Sequence, residues 1–195
     1  MKIAIFGGSF NPVHMGHHAI VRQLEQQFHF HKIYIVPAHQ NPLKNEPPAL
    51  PESLRWEMLE KTFSDTENVE LSNVELMQKG FSYSYQTLLY FIKKFSNSQF
   101  YLILGEDAYS CFHLWAKADM ILKNAQLLVF PRPAIESQDN THLSPDIEQR
   151  TRWINVDIPT ISATEIRCTD IKQIEKNAWL HPNALNIWKQ YKRLH

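Results

Sequence analysis

The sequence predicts an α/β fold built on a doubly wound, mainly parallel sheet with helices on both faces. Three observations predict it. Short β-branched or aromatic runs recur along the chain and stop at Gly or Pro. Segments with helix-like apolar spacing separate those runs. Strand–helix alternation then calls for right-handed crossovers, which lay helices on both sides of a parallel sheet.

Taken in order, Ile3 to Phe6 is an apolar run stopped by Gly7-Gly8, which suits a buried parallel strand. A helix follows from Gly16, with Ala19, Ile20, Leu24 and Phe28 on its apolar side. Ile33 to Val36 is β-branched and aromatic and ends at Pro37, a second strand. Pro37, Pro42, Pro47, Pro48 and Pro51 make residues 37–51 a surface loop. Ser53 to Phe63 reads as helix, Val69 to Leu76 as one or two short strands, and Ser84 to Phe95 as helix. Phe100 to Leu104, ended by Gly105, is a central strand, and Gln126 to Phe130, ended by Pro131, is another. Residues 131–148 are polar and Pro-broken, a loop; Trp153 to Val156 is a last strand. Thr164 to Ile174 and Pro182 to Tyr191 are helices, the second with Pro at its start. The arrangement is Rossmann-like. In such sheets ligands bind beyond the carboxyl ends of the strands, so the loops after Phe6, Val36, Leu104 and Val156 are expected to share one cleft.

Size and composition set bounds. A chain of 195 residues, 44% of them apolar, suits one domain, 1–195, with 175–195 as a C-terminal helical extension. Twenty Lys plus Arg balance twenty Asp plus Glu, which argues against a nucleic-acid partner. Cys111 and Cys168 form no CxxC pair, and a reduced, cytoplasmic protein is the simple expectation. No run of about 18 apolar residues offers a membrane span, and Met1 to Phe6 is too short for the apolar core of a signal peptide.

The most informative stretch is Gly7-Gly8-Ser9-Phe10-Asn11-Pro12-Val13-His14-Met15-Gly16-His17. Glycines after a strand admit a ligand close to the backbone, and Asn11-Pro12 makes a turn. His14 and His17 are three apart at a helix start, so both imidazoles share a face. The helix start offers N–H groups and positive partial charge to an anion, and two imidazoles add donors where charge grows in phosphoryl chemistry. Neither the GxGxxG nor the Walker pattern is present. Two other readings stay open: zinc held by His14, His17 and His18, though without a nearby Cys or carboxylate, and a strand–turn–helix with incidental histidines.

A second stretch is Ile161-Ser162-Ala163-Thr164-Glu165-Ile166-Arg167. Either Ser162 or Thr164 can cap a helix, and Glu165 suits its first turn, so alone this is a capped helix. Arg167 lies one turn inside, where a guanidinium fork suits phosphate oxygens.

Together the two stretches resemble the HxGH nucleotidyltransferases, which carry a GGSFxPxHxGH-like segment early and an ISxTxIR-like segment late. Pro37 to Lys44, Phe81-Ser82-Tyr83-Ser84, Gly105-Glu106-Asp107, Trp115 and Pro131-Arg132-Pro133 look like the bacterial nicotinate mononucleotide adenylyltransferases within that superfamily. The likeness covers essentially residues 1–195. It implies transfer of AMP from ATP, with Mg²⁺, to nicotinate mononucleotide, giving the deamido dinucleotide and pyrophosphate. His14, His17 and Arg167 are then the catalytic residues. Gly7, Ser9, Phe10, His17, Lys44, Gly105, Asp107, Ser162, Thr164 and Arg167 would bind ATP. Gly8, Ser9, Lys44, Tyr83, Ser84 and Trp115 would bind the acceptor, although on its own a residue like Trp115 is more often core. No resident metal ligand is implied. Asn11 stands where many bacterial members have Asp, which keeps the turn and loses a charge; no histidine precedes Lys44; and Ser84 replaces a commoner threonine. Nicotinamide mononucleotide, pantetheine phosphate and a non-catalytic nucleotide-binding role are the alternatives, and the oligomeric state is left undecided.

Overall fold

The computed structural model describes residues 1–44, 46–78, 80–131 and 144–194. The Arg132-Pro133 part of the proline marker and most of the 131–148 loop lie outside the described residues. Six strands form one wholly parallel sheet: β1 (Lys2–Gly8), β2 (Lys32–Pro37), β3 (Val69–Leu71), β4 (Gln99–Gly105), β5 (Ala125–Phe130) and β6 (Thr151–Trp153). Their order is β3-β2-β1-β4-β5-β6. This is the doubly wound order, and its direction reverses between β1 and β4, where a crevice opens beyond the carboxyl ends.

The helices are α1 (Met15–Phe28), α2 (Glu52–Thr62), α3 (Ser84–Lys94), α4 (Glu106–Ser110), α5 (Ala118–Asn124), α6 (Pro145–Gln149), α7 (Ala163–Cys168), α8 (Ile171–Lys176) and α9 (Pro182–Leu194). Side-chain alternation along each strand splits the core in two. On one face Ala4, Phe6, Ile33, Ile35 and Ile103 meet Ile20 and Leu24 of α1, Met58 of α2 and Trp188 of α9. On the other, Ile3, Ile5, Val36, Leu102 and Leu104 meet Leu88 and Phe91 of α3 and Ile121 of α5. Both faces are covered, which is why the strands read as unbroken apolar runs. The 175–195 stretch contributes to this core: α9 packs on α2 and buries Ala184 and Trp188.

Several expectations are corrected. The helix expected over 164–174 is two, because the Asp170 side chain accepts the Gln173 N–H (3.0 Å) and caps a new helix, α8. The last strand is Thr151–Trp153, not 153–156. Past it, residues 154–158 are held largely by α1: Gln23 exchanges two hydrogen bonds with the Asp157 backbone, and Gln27 donates to the Asn155 carbonyl. The stretch 69–76 keeps only β3, and α4, α5 and α6 were not foreseen.

Candidate active site

The carboxyl ends of β1 and β4 carry Gly7-Gly8 and Gly105. A Cβ on Gly7 would meet nothing within 4 Å, so the crevice above it is open. At Gly8 a Cβ would stand 3.1 Å from the Phe10 ring, and at Gly105 only 2.6 Å from Asp107 Oδ1. A side chain there would have to turn the Asp107 carboxylate away and press the Phe130 ring at 3.3 Å. Asp107 itself is exposed in the first turn of α4.

His14 is the N-cap of α1, buried, and His17 lies one turn on. Their ring centres are 3.8 Å apart. The His14 N–H donates to His17 Nδ1 (3.2 Å). An accepting Nδ1 puts the proton of neutral His17 on Nε2. Below it the Phe6 and Phe10 rings lie 6.0 and 5.0 Å away. Phe10 is therefore core support: the residue is buried and its φ is +43°. The helix start also offers less to an anion than expected, because the Met15 N–H is already taken by the Trp179 carbonyl (2.9 Å). His18 turns aside to Phe63 and His181, with ring centres at 5.9 and 5.3 Å. Among the described residues no three His, Cys, Asp or Glu side chains are grouped to hold a metal.

The second stretch arrives at the same place. Ser162, not Thr164, is the N-cap of α7, accepting from the Glu165 N–H (3.0 Å). Arg167 donates to the Asn11 carbonyl (2.5 Å) and to Thr164 Oγ1 (3.1 Å). A guanidinium from the late motif thus sits on the turn of the early one, three residues before His14. Lys192 of α9 donates to the Arg167 carbonyl and steadies the end of α7 (3.1 Å). Asn11 Oδ1 accepts the Leu50 N–H (2.9 Å), so its side chain acts through an oxygen that aspartate would also supply.

On the other face of the sheet, Tyr83 is the N-cap residue of α3 and Ser84 begins the helix. The Tyr83 ring meets Phe81 and Tyr85 at 6.4 and 5.9 Å. Trp115 packs on Phe112 (5.2 Å), and its indole N–H is buried with no partner among the described residues. Lys117, two residues on, lies 4.7 Å over the Tyr85 ring. Lys44 is exposed on a turn closed by its N–H to the Asn41 carbonyl (3.1 Å).

Two buried charged residues beside these loops escaped the sequence reading. Arg55, 1% exposed, donates from one nitrogen to the carbonyls of Ser9 and Ala38, both at 2.8 Å. It ties the loop after β1 to the loop after β2, and burial pushes its guanidinium below the ordinary value, with Glu52 opposing. Its signal was an arginine in the apolar row Leu54, Met58, Leu59. The other is Glu75, a buried carboxyl in Val74-Glu75-Leu76.

This fold and this pair of motifs define a nucleotidyltransferase. Residues 5–173 match the cytidylyltransferase-like family, and the chain belongs to that family. Within it the chain falls among the nicotinate-nucleotide adenylyltransferases. It is 35% identical over 190 residues to the "probable nicotinate-nucleotide adenylyltransferase" of Aliarcobacter butzleri, covering 97% of this chain and 98% of that one. The protein of that name from Clostridium tetani is 32% identical, with 97% of each chain covered. The fold matches the Plasmodium falciparum nicotinic acid mononucleotide adenylyltransferase complexed with NaAD, at TM-score 0.77 and 19% identity, over 97% of this chain and 95% of that one.

Proposed function

We propose that the chain transfers the AMP group of ATP to nicotinate mononucleotide, releasing pyrophosphate and the deamido dinucleotide. An oxygen of the mononucleotide phosphate attacks the α-phosphorus of ATP in line, and the bond from that phosphorus to the bridging oxygen of the β-phosphate breaks. The leaving group departs as pyrophosphate, and no covalent enzyme intermediate is needed. Mg²⁺ enters as the counter-ion of the ATP phosphates.

Positioning and charge stabilisation carry the catalysis. His17 Nε2 and the adjoining His14 ring face the reacting phosphates. Arg167, Ser162 and Thr164 hold the β- and γ-phosphates, and Gly7 leaves room for the polyphosphate above β1. Gly105 and Asp107 flank the adenosine, and Lys44 approaches from the proline-rich loop. Gly8, the backbone at Ser9, Tyr83, Ser84 and Trp115 form the acceptor side, with the indole as a stacking platform for the nicotinate ring. The observation that carries this reading is the Arg167 hydrogen bond to the Asn11 carbonyl, which joins the late motif to the turn of the early one.

The test is an acceptor panel with a pyrophosphate readout. Nicotinate mononucleotide should give the highest kcat/KM. Equal or better turnover of nicotinamide mononucleotide or pantetheine phosphate would overturn the substrate assignment. Tight ATP binding with no pyrophosphate from any acceptor would point to a regulator instead.

A further inference from the structure

Glu75 is 5% exposed, and two hydroxyls converge on its carboxyl. Thr87 Oγ1 donates to Glu75 Oε1 at 2.5 Å. The Ser82 hydroxyl also hydrogen-bonds the Glu75 carboxyl. Ser82 Oγ meanwhile accepts the His39 N–H (2.9 Å), so its own proton is directed to Glu75. The Ser82 N–H adds a bond to the Gln40 carbonyl (2.8 Å). Ser82 and Thr87 are themselves buried, at 7% and 2% exposure. Burial pushes the Glu75 carboxyl up, and the two hydroxyls oppose that push.

The chain order gives this knot its meaning. Ser82 and Thr87 bracket Tyr83 and Ser84, at the start of α3. His39 and Gln40 belong to the loop after β2, which leads to Lys44. One carboxyl therefore fixes the first turn of α3 against that loop. A carboxylate accepts from both hydroxyls at once, which no amide or apolar side chain reproduces in full.

We propose that Glu75 is a positioning residue for the acceptor, setting through Ser82 and Thr87 where Tyr83 and Ser84 stand in the crevice. The inference rests on the reading that these two residues face the mononucleotide. The ATP side is built mainly from α1 and α7, outside the knot, and shares with it only the loop that leads to Lys44. Losing Glu75 should therefore act on one substrate, whereas a general loosening of the fold would act on both.

The experiment uses the full chain, with KM and kcat measured separately for ATP and nicotinate mononucleotide. Glu75→Ala should raise the acceptor KM by about tenfold or more, the usual consequence of orphaning buried polar partners, and leave the ATP KM within about twofold. Glu75→Gln, which keeps one accepting oxygen, should fall between Ala and the parent. Thr87→Val removes a single strut and should give a smaller rise of the same kind. Should Glu75→Ala fail to fold, Glu75→Gln and Thr87→Val carry the test. Equal movement of both KM values, or movement of neither in folded variants, would overturn the proposal. If the parent chain does not turn over nicotinate mononucleotide, the acceptor reading itself fails, and the proposal falls with it.

Discussion

Replacing Arg55 with methionine should both loosen the fold and slow the reaction, and the structure sets the size of each effect. The guanidinium makes two hydrogen bonds of 2.8 Å, to the Ser9 and Ala38 carbonyls. Hydrogen bonds from a charged donor contribute about 1.5–3 kcal/mol each, and removal leaves two carbonyls short of a partner. Against that stands the cost of burying the cation, visible in the downward push that burial exerts on its pKa. Methionine has similar length and no charge, so it recovers part of that cost. The balance is a loss of about 2–4 kcal/mol, which for a chain of this size lowers Tm by about 5–15 °C. Ser9 and Ala38 follow β1 and β2 directly, so freeing them blurs the crevice, and misplacement of about 1 Å can cost about a hundredfold in rate. Arg55→Lys retains the charge, and because both bonds come from a single nitrogen an ammonium can make them too, so it should recover much of the Tm and kcat that Arg55→Met loses. The assays are thermal unfolding and pyrophosphate release at a temperature where all variants are folded. An Arg55→Met protein with the parent Tm and the parent kcat would refute the reasoning.

Other outcomes follow from the same geometry. Gly7→Ala should leave Tm nearly unchanged, because its Cβ meets nothing within 4 Å, yet raise the ATP KM about tenfold by filling the crevice; an unchanged ATP KM would mean the polyphosphate lies elsewhere. His17→Ala should lower kcat about a hundredfold or more, the scale of one donor lost at a developing charge, with its folding checked by circular dichroism; unchanged turnover would remove it from the reacting centre. His18 should shape the acid limb of stability. Burial, then His181 and Arg22, hold its imidazole below 6.5, while Asp65 opposes them. The unfolded chain then takes up a proton that the folded chain resists, so the His18 contribution is full above about pH 6.5 and is lost as pH falls through its depressed folded value. His18→Gln should lose less Tm than the parent between pH 7.5 and pH 5.5, and equal losses would show that another group sets that limb.

The fold was legible where residue type and backbone demand coincide. Ile3 to Phe6 ended by Gly7-Gly8, and Phe100 to Leu104 ended by Gly105, are strands buried on both faces, and nothing else suits such runs. The elements that escaped are short. Five-residue α4 and α6 are too brief for a 3.6-residue period to show. The break between α7 and α8 hangs on one capping aspartate inside an otherwise helical pattern. At the site, His14, His17 and Arg167 were visible because imidazoles and guanidinium are chemically conspicuous. Arg55 and Glu75 were not, because a charged residue reads as solvent-facing until burial is known. What Arg167 touches, a main-chain carbonyl 156 residues away in sequence, leaves no trace in residue type.

Assembly of the two motifs depends on the glycine between the histidines. Residues 154–158 run along α1, held by Gln23 and Gln27, and carry the chain from β6 toward Ser162. Their path passes Gly16, where a Cβ would stand 3.3 Å from Ile158 and 3.0 Å from the His14 ring. The missing side chain therefore serves two demands at once: it lets the late segment close on α1, and it leaves the His14 imidazole free to lie against His17. A Cβ here would press both the His14 ring and the Ile158 side chain, each of which would have to give by a few tenths of an ångström. The spacing His14-Met15-Gly16-His17 is thus more than two donors a helical turn apart. At position 16 the approach of residues 154–158 to α1 and the packing of the two imidazoles make the same requirement of the backbone.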